Sequence, residues 1–262
     1  MRRSLLLGLV GALVLLIVGI AAGFAGHTRA LTRERNELTY DAAEQAQVLN
    51  AYFARASSII LLTAHSSEYR RFYAEPGDRD QRVRQGGATL DAINNSLGYL
   101  EQLYPDRIGE ACFIDASGAE NARTVRGERA AYADLSPDET KNPFFAPTFA
   151  LSRNQVYQAK PYVSPDTDEW VISNSTLVPM PDGSKPGIVH FEVTLDSFRR
   201  EAVQRNGRTV LVVDADTGQV VIDSGRPQQT GAPLGDPTDR RFRDAVHGWA
   251  EKAQLQLDGH HQ

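Results

Sequence analysis

Leu5 to Ala25 is an unbroken run without a charged or strongly polar side chain. A helix needs about 20 apolar residues to cross the hydrocarbon core of a bilayer, and this run supplies that length. The rival is a cleaved signal peptide, whose apolar core is typically about 7–15 residues and ends at a small-x-small cleavage site. The run here is longer, and Ala22 to Gly26 makes a poor cleavage site, so an uncleaved anchor is expected. Arg2, Arg3 and the terminal amine favour a cytoplasmic N-terminus, while Arg29, Arg33 and Arg35 pull the other way. Long domains translocate largely regardless of flanking charge, which places the body outside the cytoplasm on a single span. Arg2-Arg3-Ser4 matches a twin-arginine signal poorly.

The formal net charge is −5 over 262 residues, yet the residues up to Arg35 carry +4, which leaves −9 for the rest. An acidic body repels a phosphate backbone, so nucleic acid is excluded as a partner. The single cysteine, Cys112, makes no internal disulfide and no thiolate-rich metal site. Between Ala111 and Phe113 it reads as an inert, buried strand residue.

After the anchor, Leu31, Leu38, Ala42, Ala46, Leu49, Phe53, Ala56 and Ile60 recur at helical spacing, giving one apolar stripe on a stalk-like helix that meets few breakers before Pro76-Gly77. Its alanines permit close packing against a second copy or against a domain face, and a homodimer is expected. A second helix is predicted from Asp78 to Tyr104, with Val83, Leu90, Ile93, Leu97, Leu100 and Leu103 on one face and Gly86-Gly87 weakening its first half.

From Gly109 the period changes. Ala111 to Ile114 and Glu120 to Val125 flank Asp115-Ala116-Ser117-Gly118 and read as a hairpin. Arg126 to Lys141 is loop-like, and Asn142-Pro143-Phe144-Phe145 opens a short helix toward Leu151, with Pro143 tolerated in its first turn. Strands follow at Gln155–Val163, Glu169–Val178 and Gly187–Leu195, joined by Ser164-Pro165-Asp166-Thr167 and Pro181-Asp182-Gly183-Ser184. A helix from Asp196 to Gln204 closes the unit, and Arg208–Asp214 with Gln219–Asp223 begins another hairpin. Phe113-Ile114-Asp115-Ala116-Ser117-Gly118 is echoed by Val212 to Gly218, which suggests two related modules in tandem. Pro237 to Ala250 is a predicted helix and Lys252 to Leu257 a predicted strand, so the second module is expected to be partial.

This order of elements resembles the double Cache family of extracytoplasmic sensor domains. The resemblance rests on the Phe113–Gly118 hairpin, Asn142-Pro143-Phe144-Phe145, Lys160 to Thr167, Trp170-Val171-Ile172-Ser173, and Gly187 to Val193, and spans roughly residues 30 to 250. It implies an α+β fold: a transmembrane helix (1–26), a helical stalk and second helix (27–104), a membrane-distal sensor module (105–207) and a partial membrane-proximal module (208–262). Each module would hold a PAS-like antiparallel five-stranded sheet, with ligand bound in the distal one. The resemblance further implies a bacterial inner-membrane receptor whose cytoplasmic transmitter is a histidine kinase, a diguanylate cyclase or phosphodiesterase, or a chemotaxis signalling region. The alternative is a truncated receptor or a membrane-tethered binding subunit working with a separate partner.

Amino-acid-binding members of that family carry Tyr, four residues, Arg, one residue, Trp-Tyr, then a later Tyr and an Asp. On the corresponding positions this chain has Pro137, Asn142, Phe144, Phe145, Tyr162 and Glu192. An arginine there would hold a ligand carboxylate by a bidentate, charge-assisted pair, and Asn142 lacks that charge. The acid for a ligand ammonium remains as Glu192. The resemblance therefore implies a pocket for a cationic or neutral small molecule rather than a free amino acid.

Each candidate residue also has a bland reading. Glu192 either lines a pocket or faces water on an alternating strand. Phe144 and Phe145 serve as core or as ligand platform. Tyr162 and Asp166 are pocket and rim residues or parts of an ordinary turn, and Arg123 reaches a ligand anion or a surface partner. Asp214, Asp216 and Asp223 lack the ligand number and terminal Glu of a calcium loop, and the six histidines show no paired ligand spacing. No metal and no cofactor is expected. Phosphate loops, G-x-S-x-G elbows, H-E-x-x-H pairs and kinase or cyclase signatures are absent from the sequence, so no enzyme is expected in this chain.

Overall fold

A computed structural model describes residues 2–104, 108–201, 209–214, 216–227, 230–232 and 234. The predicted helix at 237–250 and strand at 252–257 lie outside the described residues. Two compact units are present; α1 (Arg2–Ala64) belongs to one as far as Gln47, and the other begins at Val48. Near the N-terminus, α1 carries a stretch long and apolar enough to cross a membrane, with none of that stretch buried.

The apolar stripe divides along its length. Leu49, Ala56 and Ile60, joined by Tyr52 and Ala64, are buried in the chain's own core, whereas Leu31 and Leu38 are exposed. The helix ends at Ala64, earlier than Pro76-Gly77, and a separate α2 (Ser67–Ala74) turns Tyr69 and Phe72 into the core. The predicted second helix is likewise two helices, α3 (Arg79–Gln85) and α4 (Ala88–Leu103). Asp78 caps α3 by a capping box, accepting from the Gln81 amide at 2.8 Å while its own amide donates to Gln81 Oε1 at 3.1 Å. Gly86 and Gly87 sit at φ 65° and 107°, where a side chain is strained, and that pair separates the helices. On α4, Leu90, Ile93, Leu97 and Leu100 are buried as predicted, but Leu103 points to solvent.

The sheet is antiparallel throughout. Its strands are β1 (Ile108–Asp115), β2 (Glu120–Val125), β3 (Glu128–Arg129), β4 (Val156–Gln158), β5 (Tyr162–Val163), β6 (Trp170–Leu177) and β7 (Gly187–Thr194). The spatial order is β3-β2-β1-β7-β6-β4, with β5 also pairing to β6. The predicted strand at 155–163 is thus two short strands, interrupted at Ala159-Lys160-Pro161, where proline cannot donate to a ladder. The stretch 126–141, read as loop, contains β3 and one 3-10 turn, Tyr132–Asp134. A short α5 (Phe145–Ala150) and α6 (Leu195–Glu201) complete the unit.

One face of the sheet packs on the helices. Phe113 is met edge-on by Tyr69, Phe72 and Tyr73 at centroid distances of 5.1, 5.2 and 5.5 Å. Such pairs add about 0.5–1.5 kcal/mol each beyond area burial. Val189, Phe191 and Val193 of β7 continue this core. The hairpin of β8 (Leu211–Val213) and β9 (Val220–Asp223) forms its own two-stranded sheet. Val221 and Ile222 reach the same core, while Leu211 stays 40% exposed.

Candidate ligand-binding site

The central strands β1 and β7 are buried on both faces, so their polar residues have no wet side to occupy. Alternation sends Ala111, Phe113, Val189 and Phe191 to the helical side and Glu110, Cys112, Ile114, Ile188, His190 and Glu192 to the other. The register aligns these in rows. Ile114 pairs with Ile188, Cys112 with His190, and Glu110 with Glu192. Across β6, the partners of Ile188, His190 and Glu192 are Leu177, Ser175 and Ser173, and on β2 Arg123 stands opposite Cys112. The face is thus apolar at one end and acidic at the other.

The apolar end is covered by Phe144, Phe145 and α5. Phe144 stacks on the His190 ring at 3.8 Å with the planes 17° apart, and the hydroxyls of Thr148 and Ser175 share a hydrogen bond of 2.5 Å. At the acidic end the Tyr162 hydroxyl donates to Glu192 Oε1 at 2.5 Å. The Cys112 thiol lies 2.5 Å from Glu110 Oε1 and 3.2 Å from Glu120 Oε1. Glu120 Oε2 accepts from the Ser136 amide at 2.7 Å. Arg123 donates to Asp166 Oδ1 at 2.6 Å and to the Asp134 carbonyl, and its Nε stands 3.7 Å from Glu120 Oε2. Asn142 donates to Glu139 Oε2.

Burial dominates the electrostatics. It raises the carboxyls of Glu110 and Glu192, and the Glu110 carboxyl rises further because Glu192 is near. Glu120 is pushed up to about 7 by burial, against the opposing Ser136 amide and Arg123. Glu139 moves up for the same first reason, as does the Cys112 thiol. Burial drives His190 down to about 3, so its imidazole is neutral at physiological pH.

All seven residues singled out from the sequence fall on this face or on the segment covering it. Tyr162 meets Glu192, Arg123 meets Asp166, Phe144 meets His190, and Phe145 packs in the apolar end. Arg123 is held by carboxylates instead of standing at the surface; its side chain is 11% exposed. Glu110, Glu120, Glu139, Cys112 and His190 were not anticipated. The available signal was the alternation Glu110-x-Cys112 and His190-x-Glu192 within strands that are otherwise apolar.

A separate cavity of about 230 Å³ opens beside Trp170, Leu195, Arg199, Ile222 and Thr230. Among the described residues, no lining side chain there is both buried and without a hydrogen-bond partner, whereas the face of β1 and β7 presents the orphaned His190 nitrogens and Glu192 Oε2.

No protein-family model matches this sequence, and no curated protein matches it. Solved structures do match. The sensor domain of the V. cholerae histidine kinase DctB aligns with TM-score 0.60 at 14% identity, covering 80% of this chain and 74% of that one. A domain of a sensory box/GGDEF family protein from Vibrio parahaemolyticus aligns with TM-score 0.57 at 16% identity, over 71% and 70%. The ligand-binding domain of the Pseudomonas fluorescens chemoreceptor CtaA, solved with L-serine, aligns with TM-score 0.54 at 19% identity, over 79% and 77%. The chain shares the α+β fold of these sensory and ligand-binding domains.

Proposed function

We propose that this chain is the sensing part of a membrane-anchored receptor, its body outside the cytoplasm, and that a small cationic or neutral molecule binds against the acidic end of the β1–β7 face. The observation that carries this reading is the buried pair Glu110 and Glu192, placed opposite each other with Glu120, Glu139 and Asp166 nearby. Arg123 is already engaged by Glu120 and Asp166. Stacking so many carboxyls in a dry place disfavours their charged forms, and a ligand cation would relieve that penalty. Asn142, where a ligand-holding arginine would stand, is turned toward Glu139 and supplies no charge for a carboxylate ligand.

In this reading α1 is the membrane anchor and passes the signal to a cytoplasmic transmitter. Ligand would shift the equilibrium by binding one arrangement of the sheet better than another. The test is a thermal-shift screen of the full-length chain in detergent against small amines, neutral metabolites, dicarboxylates and the standard amino acids. A ligand at about 100 times its Kd stabilises by about 2.7 kcal/mol. The expected hit is an amine or neutral compound, and an amine's effect disappears in Glu192→Gln. Micromolar binding of a standard amino acid by calorimetry would overturn the reading.

A further inference from the structure

We infer that the β1–β7 face is a coordination site for a borderline divalent transition-metal ion, zinc in the first instance, with Cys112, His190 and Glu110 as ligands and Glu192 as the fourth. This rests on the reading of that face as the sensing site and names the class of cation it takes. The four residues occupy the corners of a square on two paired strands. Glu110 and Cys112 alternate on β1, His190 and Glu192 alternate on β7, and the register sets Cys112 against His190 and Glu110 against Glu192. All four therefore project from one face. The ligand atoms of Glu110, Cys112 and His190 lie within 4.8 Å of one another, and Glu192 Oε1 is 3.9 Å from His190 Nε2. Zinc bonds of about 2.0–2.3 Å put the ligand atoms of a tetrahedral site roughly 3.2–3.8 Å apart. Small side-chain rotations bring these groups to that spacing, with Cys112 and Glu110 moving slightly apart.

A second observation points to a ligand independently of that clustering. His190 is 1% exposed, and neither Nδ1 nor Nε2 has a hydrogen-bond partner in the structure. Glu192 Oε2 is orphaned as well. Native proteins rarely bury an imidazole with both nitrogens unsatisfied, because each lost partner costs about 1–3 kcal/mol. A metal ion accepts the lone pair of one nitrogen, and the Phe144 stack fixes the plane in which it is offered. The donor set decides the metal: one sulfur, one imidazole nitrogen and carboxylate oxygens suit zinc and its first-row neighbours, whereas calcium and magnesium take oxygen ligands. The Cys112 thiol loses its proton to solvent as the metal–sulfur bond forms.

The test uses the full-length chain in detergent, stripped with a chelator and then titrated with zinc alone against a chromophoric chelator, and with cobalt(II) alone by absorption. The expected result is one tight equivalent of zinc and a thiolate-to-cobalt charge-transfer band. That band requires no variant, so it decides the matter even if a substitution impairs folding. Cys112→Ser should abolish it. Losing a group that only hydrogen-bonds a metal ligand already costs about 10–100-fold in affinity, so losing the ligand itself in His190→Gln should weaken zinc by about 100-fold or more. A cobalt complex without thiolate absorption, or zinc affinity unchanged in both variants, would overturn the inference. If zinc fails while the thermal-shift screen yields an organic ligand, the metal site falls and the sensing function stands. If neither binds, both fall.

Discussion

Tyr162 on β5 reaches across β6 and places its hydroxyl 2.5 Å from Glu192 Oε1 on β7, so a short edge strand satisfies half of a buried carboxyl at the centre of the sheet. Tyr162→Phe removes that donor and leaves the carboxyl oxygen with one partner fewer in a dry site. A hydrogen bond of this kind is worth about 1–3 kcal/mol when its loss strands a buried group. Urea unfolding should show a loss of that size, and the same change in a Glu192→Gln background should cost less because the stranded group is then neutral.

The apolar stripe of α1 has two fates, and single substitutions separate them. Ile60 is fully buried, and Ile60→Ala should destabilise by about 2–5 kcal/mol. Leu38 is 47% exposed, and Leu38→Ala should change stability by no more than about 0.5 kcal/mol. Denaturant midpoints of the two variants check this; a large loss from Leu38→Ala would reveal a partner for that part of the helix.

Gly187 opens β7 where Tyr73 and the β1 backbone crowd it. A methyl group there would stand 2.5 Å from the Ile114 carbonyl oxygen and would strike the Tyr73 hydroxyl. The carbonyl belongs to a central strand and cannot retreat, so Gly187→Ala should cost about 1–3 kcal/mol or more through overpacking. Gly98, half-buried on α4, has nothing within 4 Å of such a methyl, and Gly98→Ala should stabilise by about 0.5–1 kcal/mol. Thermal unfolding of the two variants should move in opposite directions.

Glu139 supplies a pH signature. Burial raises its carboxyl above the usual 4.5, so in the pH range just above that value the folded chain holds a proton that the unfolded chain has released. Its contribution to stability is present at low pH and is lost as pH rises through the folded-state titration. Glu139→Gln removes this dependence while keeping an acceptor for Asn142. The stability difference between variant and wild type should therefore grow in the variant's favour with rising pH; a difference that is flat with pH would contradict the burial.

The elements and their order were legible because turn formers bracket them: Asp115 to Gly118, Ser164 to Thr167 and Pro181 to Ser184 each fall between strands as read. The helix start read at Asp78 holds, with Asp78 as the N-cap of α3. Helix ends were harder. Nothing in the apolar stripe signals that α1 stops at Ala64, because the stop is set by packing Tyr69 and Phe72 under Phe113. The candidate site was legible only in part. Glu192 and Tyr162 could be picked out one at a time, but Glu110 becomes a partner of Glu192 only through the pairing of β1 with β7, which joins distant parts of the chain. His190 and Cys112 were hidden for the same reason: on a strand buried on both faces, alternation no longer tells wet from dry.

Whether the facing acids exist to receive a ligand is tested most directly by the urea midpoint of the chelator-treated double variant Glu110→Gln/Glu192→Gln at neutral pH. Groups kept for binding commonly cost the empty fold stability, and neutral isosteres of buried acids remove that cost. The predicted result is a midpoint above that of wild type. A midpoint well below it would show that these carboxyls hold the sheet together, and would contradict their assignment to a ligand.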